Sequence, residues 1–376
     1  MTKQQKIQSI DVPMALSFFF LLMIGLIMVY SASSLTSIEM YQDGTFFLKK
    51  HLAMLAIGIF VMTISFFSPL SLIRKLTLPL FLIAFILLVL LLVSKMGVEA
   101  KHATRWIEIF GFRFQPSELA KPALILFVAG YIDRVGKRLQ SFQDGLLPLL
   151  IIVGLMLLLI MKQPDFGTTV TIAATLGMML FIGEMKWSHF FSLLLGFLFL
   201  GAGLVYSAQY RVNRVLAFLN PWNDPQGKGF QILQSYIAFG RGGLQGEGLG
   251  DGTQKLLYLP EAHTDFIFSV IAEELGLIGS LSVVFLFFVL VLQGFRLVHR
   301  ISDPYASQLA LGITCLFGLQ ACLNMGVVMG LLPTKGLTLP FVSYGGSSLI
   351  VSCFLMGILL SLSSLGKETP LGRSLR

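Results

Sequence analysis

The chain has 376 residues, of which 55% are hydrophobic and only 12% charged, and its mean hydropathy is +0.83. That balance excludes a soluble globular domain and describes a polytopic membrane protein. The formal charge of +8 is dispersed over loops with no compact basic reader, which excludes nucleic acid as a partner and points to anionic lipid or an anionic substrate.

Apolar windows of about 17 to 25 residues, the length that crosses a bilayer core, recur along the chain. They predict ten transmembrane helices, over 12–32, 51–67, 76–94, 118–133, 145–161, 167–183, 188–206, 264–293, 306–330 and 347–363. The whole of 1–376 therefore reads as a single all-α polytopic membrane domain, with one large extracytoplasmic loop, 207–263, between the seventh and eighth spans. Met14 to Tyr30 is too long and too uniformly apolar for a signal-peptide core, so it reads as a retained span, although Ser31-Ala-Ser33 resembles a cleavage site. Lys3, Lys6, Arg74, Lys75, Arg134, Lys137, Arg138, Lys186, Arg296, Arg300, Lys367, Arg373 and Arg376 fall on one side. The positive-inside rule makes that side cytoplasmic, with both termini there. Cations in the long loops of the opposite side are candidates for ligand contact. Cys315, Cys322 and Cys353 all fall in apolar spans and read as small core residues, leaving the loops no disulfide framework.

The first outer loop, 95–118, interleaves aromatics with arginine, which suits a segment lying in the headgroup layer. Trp106, Phe110 and Phe112 read as an aromatic belt, while Arg105 is as readily a ligand contact as a snorkelling cation. Beyond Pro116, Glu118 and Lys121 form an i, i+3 pair at the mouth of the fourth span, satisfied within the helix or by a ligand. Lys162-Gln-Pro-Asp165 is a tight turn with Asp165 as a helix cap. The loop 207–263 is far too long for a simple connection. Arg211 and Arg214, three apart, share a helix face and either pair with lipid headgroups or grip a phosphate or pyrophosphate. The Gly-rich run from Gly240 to Gly252 lacks the Gly-Lys-Ser/Thr ending and the preceding strand of a nucleotide loop. It reads instead as backbone that bends tightly and lets a bulky ligand approach. Leu332 to Ser348, rich in proline, glycine and hydroxyl residues, suits irregular backbone lining a cavity at membrane depth.

The stretch from Tyr258 to Gly279 carries polar loop straight into an apolar span, and gathers Glu261, His263, Asp265, Glu273 and Glu274. Pro260 favours an extended approach, and Thr264 or His263 can cap the helix that follows, which puts Asp265 in or near its first turn. A carboxylate inside a bilayer costs at least about 2.5 kcal/mol by insertion scales, which makes these acids functional suspects. Interfacial acids that merely set helix depth account for Asp265 alone, but not for so many ionisable groups in one corner.

In order along the chain stand Val29-Tyr-Ser-Ala-Ser33, Arg105-Trp106, Gln115-Pro-Ser-Glu118 with Lys121, and Gln163-Pro-Asp-Phe-Gly167. Tyr210-Arg-x-x-Arg214 with Phe218-Leu-Asn-Pro-Trp222, Gln254-Lys255, Leu259-Pro-Glu-Ala-His-Thr-Asp-Phe266, Glu273-Glu-Leu-Gly276 and Lys335-Gly-x-x-x-Pro340-Phe-x-Ser-Tyr-Gly-Gly346 follow. Together they resemble the SEDS family of bacterial membrane proteins, over nearly the whole chain. The resemblance implies a peptidoglycan glycosyltransferase that polymerises lipid II on the outer face of the bacterial cytoplasmic (inner) membrane. Ala262, where the elongation branch tends to have Arg, is more similar to the division branch and so to a place at the division septum, but does not separate it from the sporulation branch.

The resemblance also implies residue roles. Inversion of an α-linked pyrophosphate donor into a β-1,4 bond needs one base and a set of cations. The family's essential aspartate falls on Asp265, the expected general base. Arg105, Lys121, Arg211 and Arg214 are expected to contact the pyrophosphate, with Gln254 and Lys255 also substrate-binding and Glu118, Glu261 and His263 supporting them. A divalent cation, Mg or Mn, with Asp265 as a ligand could share the task, although the sequence shows no dedicated metal cage. Implied partners are a class B penicillin-binding protein transpeptidase, divisome membrane proteins and membrane lipids. The competing reading is a lipid-linked sugar carrier, or flippase, with no bond-making step. Polar groups concentrated in outer loops rather than near the midplane favour the enzyme.

Overall fold

Lipid offers no partner to a backbone N–H or C=O, so an apolar window must close its own hydrogen bonds and folds as a helix. In the computed structural model, which describes residues 6, 10–93, 97–100, 103–109, 112–206, 209–227, 229–254 and 259–365, each of the ten windows is a helix. They are α1 (Val12–Tyr41), α2 (Phe46–Phe67), α3 (Leu70–Val93), α4 (Pro116–Val135), α5 (Leu147–Lys162), α6 (Phe166–Ile182) and α7 (Trp187–Tyr206). After two shorter helices of the long loop, α8 (Gln209–Leu219) and α9 (Phe230–Gly242), come α10 (Ile267–Arg300), α11 (Pro304–Val328) and α12 (Gly346–Leu365). Seven are long and apolar enough to cross a membrane: α1, α2, α3, α5 with the turn before it, α10, α11 and α12. α6 and most of α7 are shorter apolar helices, and α4 carries Glu118, Lys121, Asp133 and Arg134.

Local chemistry sets the ends. α1 and α11 each start with Pro in the first turn behind an aspartate cap, Asp11 accepting from Met14 N at 3.1 Å and Asp303 from Ala306 N at 2.8 Å. α1 runs on through Ser31-Ala32-Ser33, the would-be cleavage site, to Tyr41. α2 and α12 pack closely through small residues, Gly58 against Cys353 and Gly357 against Ser65. Cys315 and Cys353 are buried as expected of core thiols, whereas Cys322 is exposed. One end of the bundle carries Arg74, which bridges Asp133 and Asp303 at 3.2 Å each. The other end gathers the loops that hold the candidate site.

The outer loop before α4 is not simply an interfacial belt. It forms a three-stranded antiparallel sheet, β1 (Gly97–Ala100), β2 (Ala103–Ile109) and β3 (Phe112–Phe114), in that order. β-branched and aromatic residues alternate here with charge, and Glu108 pairs across the strands with Arg113. The backbone before β1 and between β2 and β3, Phe110 included, lies outside the described residues.

Two irregular segments are decided by close packing. α10 is two helices joined at Gly276, whose φ of 66° and ψ of −161° only glycine adopts readily. The Gly-rich segment folds onto this kink: Glu247 N and Gly248 N donate to the carbonyls of Glu273 and Glu274, and Leu277 N to that of Gly243. Glu273, fully buried, accepts from Thr253 N at 2.9 Å and Gln254 N at 3.1 Å. Glu274 accepts from Ser31 Oγ at 2.6 Å and Gly250 N at 3.1 Å. Gly242, Gly246 and Gly252 make a close approach to α10, and the two buried acids tie that loop and α1 to the kink. Gly276→Ala drives a Cβ into Gly246 N in a conformation that costs a non-glycine residue about 1–3 kcal/mol. It is expected to lower the Tm and to speed proteolysis within 243–254, whereas Gly203→Ala, whose added methyl meets nothing, leaves both unchanged.

The second segment, between α11 and α12, enters the core. Leu337, Leu339, Phe341 and Val342 are all buried, and Phe341 stacks edge-on between Phe18 and Phe317 at 5.0 and 4.9 Å. Irregular backbone survives here because protein satisfies it: Gln320 Nε2 donates to Thr338 O at 2.9 Å, Leu339 N to Ser343 Oγ at 2.8 Å, and Tyr344 N to His263 O at 2.9 Å.

Candidate functional site

Four polar segments, together with Val205 of α7, line a cavity of about 160 Å³. Arg105 comes from β2, Pro164 to Gly167 from the turn into α6, Arg211 and Arg214 from α8, and Pro333 to Gly336 from the re-entrant loop. Arg105 is oriented by the turn it meets: its Nε donates to Gln163 O at 2.9 Å and its terminal nitrogen to Pro164 O. Arg211 and Arg214, at i and i+3 on amphipathic α8, face the cavity together. Lys335 completes the lining, its ammonium 4.9 Å from the centre of the Phe166 ring. Burial lowers its pKa below the ordinary lysine value.

Four cations thus surround a space whose own lining acid is already engaged. Asp165 caps α6 through Thr168 N at 3.2 Å and accepts from Ser117 Oγ and Gln115 Nε2, both at 3.0 Å. The electrostatic character left to the cavity suits an anion carrying more than one charge.

Asp265 does not itself line the cavity but lies directly behind Gly336, which does. A Cβ built on Gly336, a lining residue, comes within 3.0 Å of Asp265 Oδ2, so the absent side chain leaves room for the carboxylate. Asp265 lies in the turn just before α10, which begins at Ile267 without a side-chain cap. Thr264, expected as a cap, instead donates its hydroxyl to Glu261 Oε2 at 2.8 Å. His263 turns to an aromatic cluster, 4.9 Å from Phe47 and 5.5 Å from Tyr344. Glu261 and His263 therefore brace the turn that presents Asp265, and neither lines the cavity.

Two expected substrate contacts lie elsewhere. Lys121, 2% exposed, is held by Glu118 at 2.8 and 2.9 Å and by Gln320 Oε1 at 3.3 Å, inside the bundle. Gln254 is buried, its N–H spent on Glu273. Neither lines the cavity: the Lys121 ammonium goes to the partners the packing supplies, and Gln254 is held through its backbone. Lys255 lies outside the described residues. Conversely, Lys335 lines the cavity without being among the expected contacts, and its signal in the sequence is a lone cation between two prolines of a loop entering the bundle. Among the described residues no three His, Cys, Asp or Glu converge as a metal site.

Residues 13–368 match the model of the FtsW, RodA and SpoVE family, described as cell cycle proteins. The chain is 43% identical to the probable peptidoglycan glycosyltransferase FtsW of Geobacter metallireducens, covering 97% of this chain and 98% of that one. It is 42% identical to stage V sporulation protein E of Bacillus subtilis, over 94% and 96% of the two chains. Among solved structures, a chain from work on the structural coordination of polymerization and crosslinking by a peptidoglycan synthase complex superposes with a TM-score of 0.75 at 27% identity, over 96% and 99% of the chains. The rod shape determining protein RodA of Thermus thermophilus, at 24% identity, a TM-score of 0.66 and 94% and 96% coverage, shares the fold.

Proposed function

The chain belongs to the FtsW, RodA and SpoVE family of cell cycle proteins, and from that membership and the geometry of the cavity we propose that it is a peptidoglycan glycosyltransferase polymerising lipid II. The observation that carries the reading is one carboxylate, Asp265, against a cavity lined by Arg105, Arg211, Arg214 and Lys335. In the transfer, the acceptor sugar's 4-hydroxyl attacks the donor's anomeric carbon as Asp265 takes its proton. The bond from that carbon to the pyrophosphate oxygen breaks on the opposite face, so the α-link becomes a β-link. The cations hold the pyrophosphate as it takes up the negative charge of the broken bond. Glu261 and His263 brace the base, and Glu118 with Lys121 holds α4 to α11. A divalent cation, Mg or Mn, would find Asp265 as its protein carboxylate here. Among the described residues no cage forms for one, so the four cations are assigned the pyrophosphate and no step runs through a metal.

Lys335 gives the reaction an alkaline limit. Its pKa is lowered, so it loses its charge as pH rises through a value below that of an ordinary lysine. Polymerisation rates at low lipid II are expected to fall on that limb, and Lys335→Arg, charged throughout the range, is expected to move the fall to higher pH. An identical limb in the variant assigns it to another group.

The working unit pairs the chain with a class B penicillin-binding protein transpeptidase, in the bacterial cytoplasmic membrane at the division septum, with the cavity on the outer face and other divisome membrane proteins and membrane lipids around it. The test is polymerisation of lipid II by the purified protein, alone and with that partner, read on a glycan gel. Polymer is expected. Scrambling of labelled lipid II in liposomes, with no polymer under either condition, replaces the transferase by a flippase.

A further inference from the structure

One carboxamide joins the turn that carries Asp265 to the re-entrant loop that helps to line the cavity. Asn324 lies on α11, 2% exposed, and its Nδ2 donates to Asp265 O at 2.9 Å and to Leu337 O at 2.5 Å. The first carbonyl belongs to the turn that presents the carboxylate. The second belongs to the re-entrant loop two residues beyond Lys335 and one beyond Gly336, the residue packed against Asp265 Oδ2. Both acceptors are backbone carbonyls, so only the NH₂ end of the amide can face them. The other end, Oδ1, is buried with no donor. An amide kept solely for the hydrogen-bond balance of the core would be satisfied at both ends, and this one is satisfied only toward these two segments. One turn earlier on the same helix, Gln320 donates to Thr338 O and reaches Thr338 Oγ1 at 3.5 Å, touching only the second segment; the two segments also meet through Tyr344 N and His263 O, but Asn324 is the side chain that holds both at Asp265 and Leu337.

We propose that Asn324 is a positioning residue for the transfer: by holding both carbonyls with one amide group it sets the distance between the Asp265 carboxylate and the loop that carries Lys335. The proposal rests on Asp265 being the general base. Asn324 does not line the cavity, so substrate binding does not depend on it directly. Misplacing a reacting group by about 1 Å costs on the order of 10²-fold in rate. Asn324→Leu is therefore expected to lower kcat by about 10²-fold with little change in KM for lipid II. Hydrogen exchange is expected to rise together in the peptides covering 262–267 and 334–339. Gln320→Leu is expected to loosen the second peptide without the first. If Asn324→Leu does not elute as a folded protein, Asn324→Asp keeps the shape but offers at most one donor, so it cannot hold both carbonyls, and the same paired change is expected.

A folded variant with wild-type kcat overturns the proposal, as does a rise in KM at unchanged kcat or exchange that increases in one segment alone. The two readings fail separately. A wild-type protein that makes no polymer removes the transferase, whereas the exchange measurement reports on the coupling with no turnover at all.

Discussion

Asp265→Asn is expected to abolish lipid II polymerisation while leaving the protein folded and able to bind its substrate. The substitution is isosteric, so the backbone carbonyl still receives Asn324 Nδ2 and the side chain still fits against Gly336. What disappears is a group able to take the proton of the attacking hydroxyl, a contribution of about 10²- to 10⁴-fold in rate. Asp265→Glu keeps the base but lengthens its stem against a glycine whose missing Cβ is what makes the room. Displacing the carboxylate by about 1 Å is expected to cost on the order of 10²-fold. Glycan gels with both variants, beside a lipid II binding measurement, separate loss of chemistry from loss of substrate. A folded Asp265→Asn protein that still polymerises at more than a small fraction of the wild-type rate would falsify the assignment of the base.

The second large effect concerns stability. Lys121→Met leaves Glu118 charged and buried without its ammonium, and breaking a buried pair from one side costs about 3–5 kcal/mol. The single variant is expected to show a sharply lower Tm or to be lost from the detergent-soluble fraction. The double variant Glu118→Leu with Lys121→Met, which replaces the pair by apolar groups of similar volume, is expected to recover most of the loss, because a buried pair is itself of small net benefit. Its activity distinguishes the two roles considered for this lysine. A recovered fold with near wild-type KM makes the pair a structural tie between α4 and α11. A recovered fold with greatly raised KM returns Lys121 to the substrate.

The amino-acid sequence by itself determined the membrane class, the ten helical windows and the motifs that place Asp265, Arg105, Arg211 and Arg214 at one end of the bundle. An apolar run in lipid has one local solution, a helix, whatever its neighbours are. Cations in the long outer loops stand out because a charge beside an apolar span needs a partner or a ligand. Tertiary structure alone decided what each intramembrane polar group is for. Glu273 and Glu274, conspicuous as buried acids, serve the Gly-rich loop that folds over the Gly276 kink. The lysine that lines the cavity is Lys335, while Lys121 is turned to Gln320, 199 residues further along the chain. A charge inside a bilayer announces that it needs a partner, and the partner's identity is a property of the packed bundle.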